Sequence, residues 1–154
     1  MNKFDEIMEA LIGMRDYEKG LFEIYSSFSQ RFNEHKDFWH TISIDENTHA
    51  LMVDTFIALY KNGDISFYDR DFNPLQIKED VNKLNSFKQK MRESNISSSE
   101  AIKFALQTES SVTEEDLYRT KDSDPPEFKK FLTILYEDSK KHYDRIKKLQ
   151  KLNG

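Results

Sequence analysis

Apolar residues recur every three or four positions along most of this chain, which is the period of an α-helix with one buried face. The first helix shows the pattern clearly, because Phe4, Leu11, Tyr25 and Phe32 lie on one line of residues spaced by multiples of seven. The chain has only 4 Gly and 3 Pro, too few for the many turns of a β-sheet. The pattern therefore predicts an all-α protein. The predicted helices span residues 2–32, 37–62, 74–93, 97–120 and 124–152.

Local signals mark several of the helix ends. Asn2, Ser97 and Asp124 are residue types that cap the start of a helix, and Ser97 is followed three residues later by Glu100, which completes a capping box. Gly63 follows the second helix, where glycine can adopt the left-handed conformation that ends a helix. These signals support the predicted boundaries.

The lengths of the connections predict how the helices are arranged. The short connection at residues 33–36 makes the first two helices antiparallel neighbours. Residues 64–73 lack a helical stripe and, with the helix at 74–93, form a long crossover that lets the fourth helix run parallel to the second. We therefore expect one domain over residues 1–154, an up-down four-helix bundle whose crossover contains an extra helix.

Polar side chains interrupt the apolar lines near the middle of the four long helices. Glu46 and His49, for example, lie one turn apart at positions that the periodicity assigns to the core. A buried carboxylate or imidazole destabilises the fold unless another group pairs with it. The residues predicted to face inward in this way are Glu18, Glu46, His49, Glu109, Ser139 and His142.

Composition excludes several classes of function. The chain has no Cys, which excludes disulfides, thiolate metal sites and cysteine nucleophiles. Its net charge is -5 and its charges are mostly interspersed, so we expect no nucleic-acid partner. It has no apolar run of transmembrane length, and acidic residues stand where a signal peptide would be apolar, so we expect no membrane association and a cytoplasmic location.

The inward-facing carboxylates and imidazoles match a known way of holding metal in a helix bundle. Two-metal bundles use one Glu from each of two helices and a Glu-x-x-His pair from each of the other two. Oxygen and nitrogen donors of this kind suit iron or manganese. The predicted metal ligands are Glu18, Glu46, His49, Glu109 and His142.

One position departs from that pattern. Ser139 stands three residues before His142, where the second Glu-x-x-His pair would have its carboxylate. The alternative is therefore a metal-free polar core, in which a hydroxyl such as that of Tyr25 hydrogen-bonds to a carboxylate.

The pattern is carried by Glu18 and Tyr25 in EKGLFEIY, Glu46 and His49 in IDENTHA, Glu109 in EAIKFALQTE and His142 in EDSKKHYDRI. On these residues, and over most of its length, the chain resembles the ferritin-like superfamily, specifically the rubrerythrin-like four-helix domains. The resemblance implies that Glu18 and Glu109 are terminal carboxylate ligands, that Glu46 is a bridging carboxylate, and that His49 and His142 are nitrogen ligands.

The same resemblance implies a function. It implies a protein that binds iron or manganese in the bundle core and reacts with O2 or peroxide, as a di-metal or mono-metal oxidoreductase with an external electron donor. The absence of Cys excludes the rubredoxin-type module of full-length rubrerythrins. The alternative function is a non-catalytic helical dimer or binding module with a vestigial metal site.

A line of small residues bears on self-association. Gly13, Gly20 and Ser27 repeat every seven residues on the first helix, so either another helix approaches closely there or the face is simply exposed. Because related domains commonly pair, we expect a homodimer that uses this line.

Overall fold

A computed structural model describes residues 2–114 and 118–153 of the chain. Within these residues all regular secondary structure is helical, which confirms the predicted all-α class. The α-helices are α1 (Lys3–Arg31), α2 (Lys36–Lys61), α3 (Pro74–Glu93), α4 (Ser98–Glu114) and α5 (Pro126–Asn153), and a short 3-10 helix (Asn33–His35) joins α1 to α2.

Most of the predicted helix signals have their expected structural role. The Asn2 side chain accepts a hydrogen bond from the backbone N–H of Asp5 at 2.8 Å, and the Ser97 hydroxyl accepts one from the N–H of Glu100 at 3.1 Å. Gly63, after α2, has a φ of +80°, which glycine adopts without strain. These predicted helix ends are confirmed.

Two predicted boundaries were wrong. Residues 118–120 are not α-helical, so the predicted helix end at Thr120 was too late, and residues 115–117 lie outside the described residues. Asp124 lies two residues before α5, and its carboxylate accepts hydrogen bonds from the Arg70 guanidinium at 2.9 and 2.7 Å and from the backbone N–H of Lys121 at 2.8 Å. The Asp124 carboxylate, which the sequence predicted to cap the helix, thus pairs with the buried Arg70 guanidinium instead.

Packing of the helices brings four of them around one interior. α1 packs along α2, α4 packs along α5, and contacts between α2 and α5 join the two pairs. α3 packs against α1. Among the described helices, none is both long enough and apolar enough to cross a membrane.

The line of small residues on α1 faces α3. A Cβ atom on Gly13 would lie 2.6 Å from Ile77 Cγ2, and one on Gly20 would lie 3.0 Å from Leu84 Cδ1. From the first of these contacts to the second, the position increases by seven residues on both helices, so α1 and α3 run parallel here. Of the two alternatives, the structure shows the close approach at Gly13 and Gly20, and the partner is a helix of the same chain rather than a second copy. Homodimer formation stays a prediction, without support from this face.

The core consists of two apolar clusters with polar residues between them. On α2, residues of one cluster precede Glu46 and residues of the other follow His49, and Ser139 and His142 are flanked in the same way on α5. The first cluster includes Leu11, Met14, Val53, Phe56, Phe67, Phe128 and Leu135. The second includes Leu21, Tyr25, Phe28, Trp39, Ile42, Ile102 and Ile146.

Candidate metal centre

The five predicted ligands converge between the two apolar clusters. α1, α2, α4 and α5 each contribute to the group, and every one of the five residues is at most 2% exposed. Their nitrogen and oxygen atoms form two overlapping sets that could each hold a metal ion. One set is Glu18, Glu46 and His49, and the other is Glu46, Glu109 and His142. The predicted convergence is therefore confirmed, whereas metal binding stays a prediction.

Glu46 connects the two sets because its two oxygens face different histidines. Its Oε2 lies 3.5 Å from His49 Nδ1, and its Oε1 lies 3.1 Å from His142 Nδ1. Each Nδ1 atom also faces a second carboxylate: Glu18 Oε2 lies 3.6 Å from His49 Nδ1, and Glu109 Oε1 lies 3.4 Å from His142 Nδ1. Each set therefore offers one nitrogen and two carboxylate oxygens around a common point.

Several of these atoms lack a hydrogen-bond partner although they are buried. Among the described residues, the Nδ1 atoms of His49 and His142 and the Oε2 atoms of Glu18 and Glu109 make no contact with hydrogen-bond geometry. Two ligands that bind one ion at about 2.1 Å lie roughly 3.0 to 3.4 Å apart at octahedral or tetrahedral angles. The observed separations of 3.1 to 3.6 Å are close to that range. The spacing of these donor atoms therefore fits a metal centre.

The opposite ring nitrogen of each histidine contacts an aspartate that the sequence reasoning missed as a functional residue. His49 Nε2 lies 2.7 Å from Asp138 Oδ2, and His142 Nε2 lies 2.8 Å from Asp45 Oδ2. Asp45 on α2 thus contacts the histidine of α5, and Asp138 on α5 contacts the histidine of α2. A carboxylate on Nε2 fixes the orientation of the ring and leaves Nδ1 to face the centre.

A repeated pattern could have revealed these aspartates. Asp45 directly precedes Glu46, and Asp138 directly precedes Ser139, the residue at the matching position of α5. Asp138 itself contacts Nε2, on the far side of the His49 ring from the centre, so it does not replace the carboxylate missing at Ser139.

No protein-family model, curated protein or solved structure matches this chain. The chemistry of the centre must therefore be inferred from its own donor atoms. Three inner carboxylates and two imidazole nitrogens form a mixed oxygen and nitrogen set without sulfur, which suits iron, manganese or zinc.

Two hydroxyl groups complete the surroundings of Glu109. Tyr25, which is fully buried, donates a hydrogen bond from its hydroxyl to Glu109 Oε1 at 2.9 Å. Ser139 is 5% exposed, and its side chain is near enough to Glu109 to act against the rise in the pKa of that carboxyl. Burial, together with the negative charges of Glu109 and Glu46, raises the pKa of Tyr25 well above its ordinary value. Tyr25 is therefore a neutral donor at physiological pH.

Burial and mutual proximity shift the pKa of every ionisable group in the centre. Burial and the charge of Glu46 raise the pKa values of Glu18 and Glu109. Burial disfavours the charged imidazolium, but the neighbouring carboxylates outweigh it and raise the pKa of His49 to about 12 and that of His142 to about 11. Burial also opposes ionisation of Glu46, yet the proximity of Glu18 and of both imidazoles holds its pKa below the usual value. In the metal-free protein, protons bound to these groups thus offset the negative charge of the carboxylates.

Proposed function

We propose that the centre binds two divalent ions, iron or manganese, through Glu18, Glu46, His49, Glu109 and His142. The observation that carries this proposal is the set of four buried atoms without hydrogen bonds, two imidazole nitrogens and two carboxylate oxygens, on residues whose ligand atoms lie within 4.8 Å of one another in each set. Glu46 acts as the shared carboxylate, because its oxygens face different histidines.

Iron or manganese bound there would supply electron exchange with O2 or peroxide, with an external electron donor to restore the reduced state. The chain's own residues prepare the centre for this chemistry. Asp45 and Asp138 accept hydrogen bonds from the Nε2–H groups of His142 and His49 and so direct each Nδ1 inward. The apolar clusters on either side exclude water from the ligands.

The proposal includes membership of the ferritin-like superfamily as a rubrerythrin-like domain. Support comes from the order in which the helices pass the centre. Along α2 and α4 the chain runs from the second apolar cluster toward the first, whereas along α5 it runs from the first toward the second. α2 and α4 therefore point the same way, and α3 occupies the crossover between them, as expected for an up-down bundle of the ferritin type.

One observation favours the alternative, a non-catalytic helical dimer or binding module with a vestigial centre. Ser139 removes a carboxylate, and the raised pKa values of His49 and His142 let protons neutralise the remaining carboxylates without metal. A protein of this kind would keep the same fold and hydrogen bonds and would not respond to metal.

Elemental analysis of protein purified without chelator, together with one pair of variants, separates the two functions. Glu18→Gln removes a ligand charge but resembles protonated Glu18 in shape, so the metal-free stability should change by only about 1 kcal/mol. Glu9→Gln makes the same change on the exposed face of α1. We expect Mn(II) or Fe(II) to raise the unfolding temperature of wild type and Glu9→Gln but not that of Glu18→Gln. A wild-type protein that neither contains nor responds to metal would contradict the proposal.

A further inference from the structure

Two matching stretches of sequence face each other across the centre. α2 carries Asp45 and Glu46 three residues before His49, and α5 carries Asp138 and Ser139 three residues before His142. Because each aspartate contacts the histidine of the other stretch, at 2.8 and 2.7 Å, the stretches correspond position by position. Ser139 is thus the counterpart of Glu46, whose carboxylate faces both histidines.

The side chain at this position is too short to act as Glu46 does. Ser139 is buried, and its neutral hydroxyl adds no negative charge. The three inner carboxylates carry three negative charges against the four positive charges of two divalent ions, which leaves one positive charge. Asp45 and Asp138 lie on the outer ring nitrogens, where their side chains are 39% and 28% exposed and are screened by solvent.

The number of ligand atoms also points to a missing carboxylate. Each half of the centre supplies one nitrogen and two oxygens, whereas iron and manganese commonly take more ligands than three. A carboxylate with one oxygen for each ion would add a ligand to both halves and a single negative charge. A small carboxylate from solution has the chemical group that the α5 stretch lacks.

We propose that an external carboxylate of the formate or acetate class binds beside Ser139 and completes the two-metal centre. This inference rests on the proposed function. The carboxylate takes the part that Glu46 takes on the opposite side, but it can dissociate, so metal affinity depends on its concentration. By linkage, metal and carboxylate each strengthen the binding of the other.

Titration calorimetry of Mn(II) into metal-free protein tests this inference, with sodium formate compared with sodium chloride at equal ionic strength. We expect formate to tighten Mn(II) binding to wild type by about tenfold or more, a change of a size that titration resolves easily. Ser139→Glu, which supplies its own carboxylate, should bind Mn(II) tightly in chloride and gain nothing from formate. Ser139→Ala also has a short side chain without a carboxylate, so formate should still tighten its binding of Mn(II).

The outcomes distinguish this inference from the proposed function. Wild type that binds Mn(II) equally in both salts would overturn the inference and leave the two-metal centre intact, with water or hydroxide as the remaining ligand. An equal gain from formate in Ser139→Glu would overturn it as well, because the anion would then bind elsewhere. No Mn(II) binding by any of the chains would overturn both. If Ser139→Glu does not fold, wild type and Ser139→Ala still decide, since both retain the short side chain.

Discussion

The polar centre and the apolar clusters on either side of it are equally buried but are built on opposite principles. Within the first cluster, Phe128 packs edge-on against Phe56 and Phe67 at ring centroid distances of 5.2 and 4.9 Å, and burial alone stabilises such contacts. The centre holds five ionisable side chains, several with unsatisfied atoms, which destabilise a fold unless protons or cations balance them. The clusters therefore stabilise the fold, whereas the buried ionisable groups of the centre lower its stability, as is common at functional sites.

Removal of a cluster residue should have the largest effect on stability. Phe128 is fully buried, so Phe128→Ala should lower the free energy of unfolding by about 3 to 5 kcal/mol through lost contacts and a cavity. Tyr68→Ala is the control, because Tyr68 is 78% exposed and its truncation should change little. Urea unfolding in the presence of chelator measures both. If both variants lost equally little stability, the apolar clusters would not be the main source of stability.

Helical periodicity predicted the clusters and the inner ligands because it reports which face of a helix is buried. Glu18, Glu46 and Glu109 stand on apolar lines whose neighbouring members, such as Leu11, Trp39 and Ile102, are buried. The repeat of seven on α1 likewise predicted a close approach at Gly13 and Gly20. Periodicity cannot say which element covers a face, so α3 was mistaken for a second copy of the chain.

The contacts that sequence reasoning missed are those made between elements or in loops. Asp45 and Asp138 lie about 100° around the helix from the apolar lines, and their partners are on other helices. The buried pair of Arg70 and Asp124 joins two connections that have no periodic pattern, and the Arg70 guanidinium also lies over the Phe128 ring at 5.5 Å. Only the fold brings such residues together.

The pH dependence of stability should differ between the metal-free and metal-loaded protein. His49 and His142 have folded pKa values of about 12 and about 11, above the unfolded value of about 6.5. Above about pH 6.5 the metal-free folded state thus holds more protons than the unfolded state, so the free energy of unfolding should fall as pH rises from there. The raised pKa values of Glu18 and Glu109 act in the same direction.

Metal binding requires those protons to leave, so it should strengthen over the same range of pH. Thermal unfolding with chelator and with excess Mn(II), measured from about pH 6 to about pH 9, should therefore show a difference in unfolding temperature that widens with pH. A metal-free unfolding temperature that rises through this range would show that the centre does not hold its protons, and would remove the contrast with the apolar clusters.

The smallest effect is expected at the edge of the centre, where the side chain of Asp138 is 28% exposed. Asp138→Asn keeps a hydrogen-bond acceptor near His49 Nε2 but removes the negative charge that makes the ring a stronger ligand. We expect metal affinity to fall by about 10- to 100-fold, while metal-free stability changes by about 1 kcal/mol. Asp144→Asn, on the exposed face of α5, is the matched control and should alter neither quantity. Titration calorimetry with Mn(II) measures the affinity, and chemical unfolding measures the stability. If Asp138→Asn instead lowered metal-free stability strongly and left Mn(II) affinity unchanged, Asp138 would stabilise the packing of the core and would not support the centre. Asp138 would then belong with the apolar clusters in this comparison.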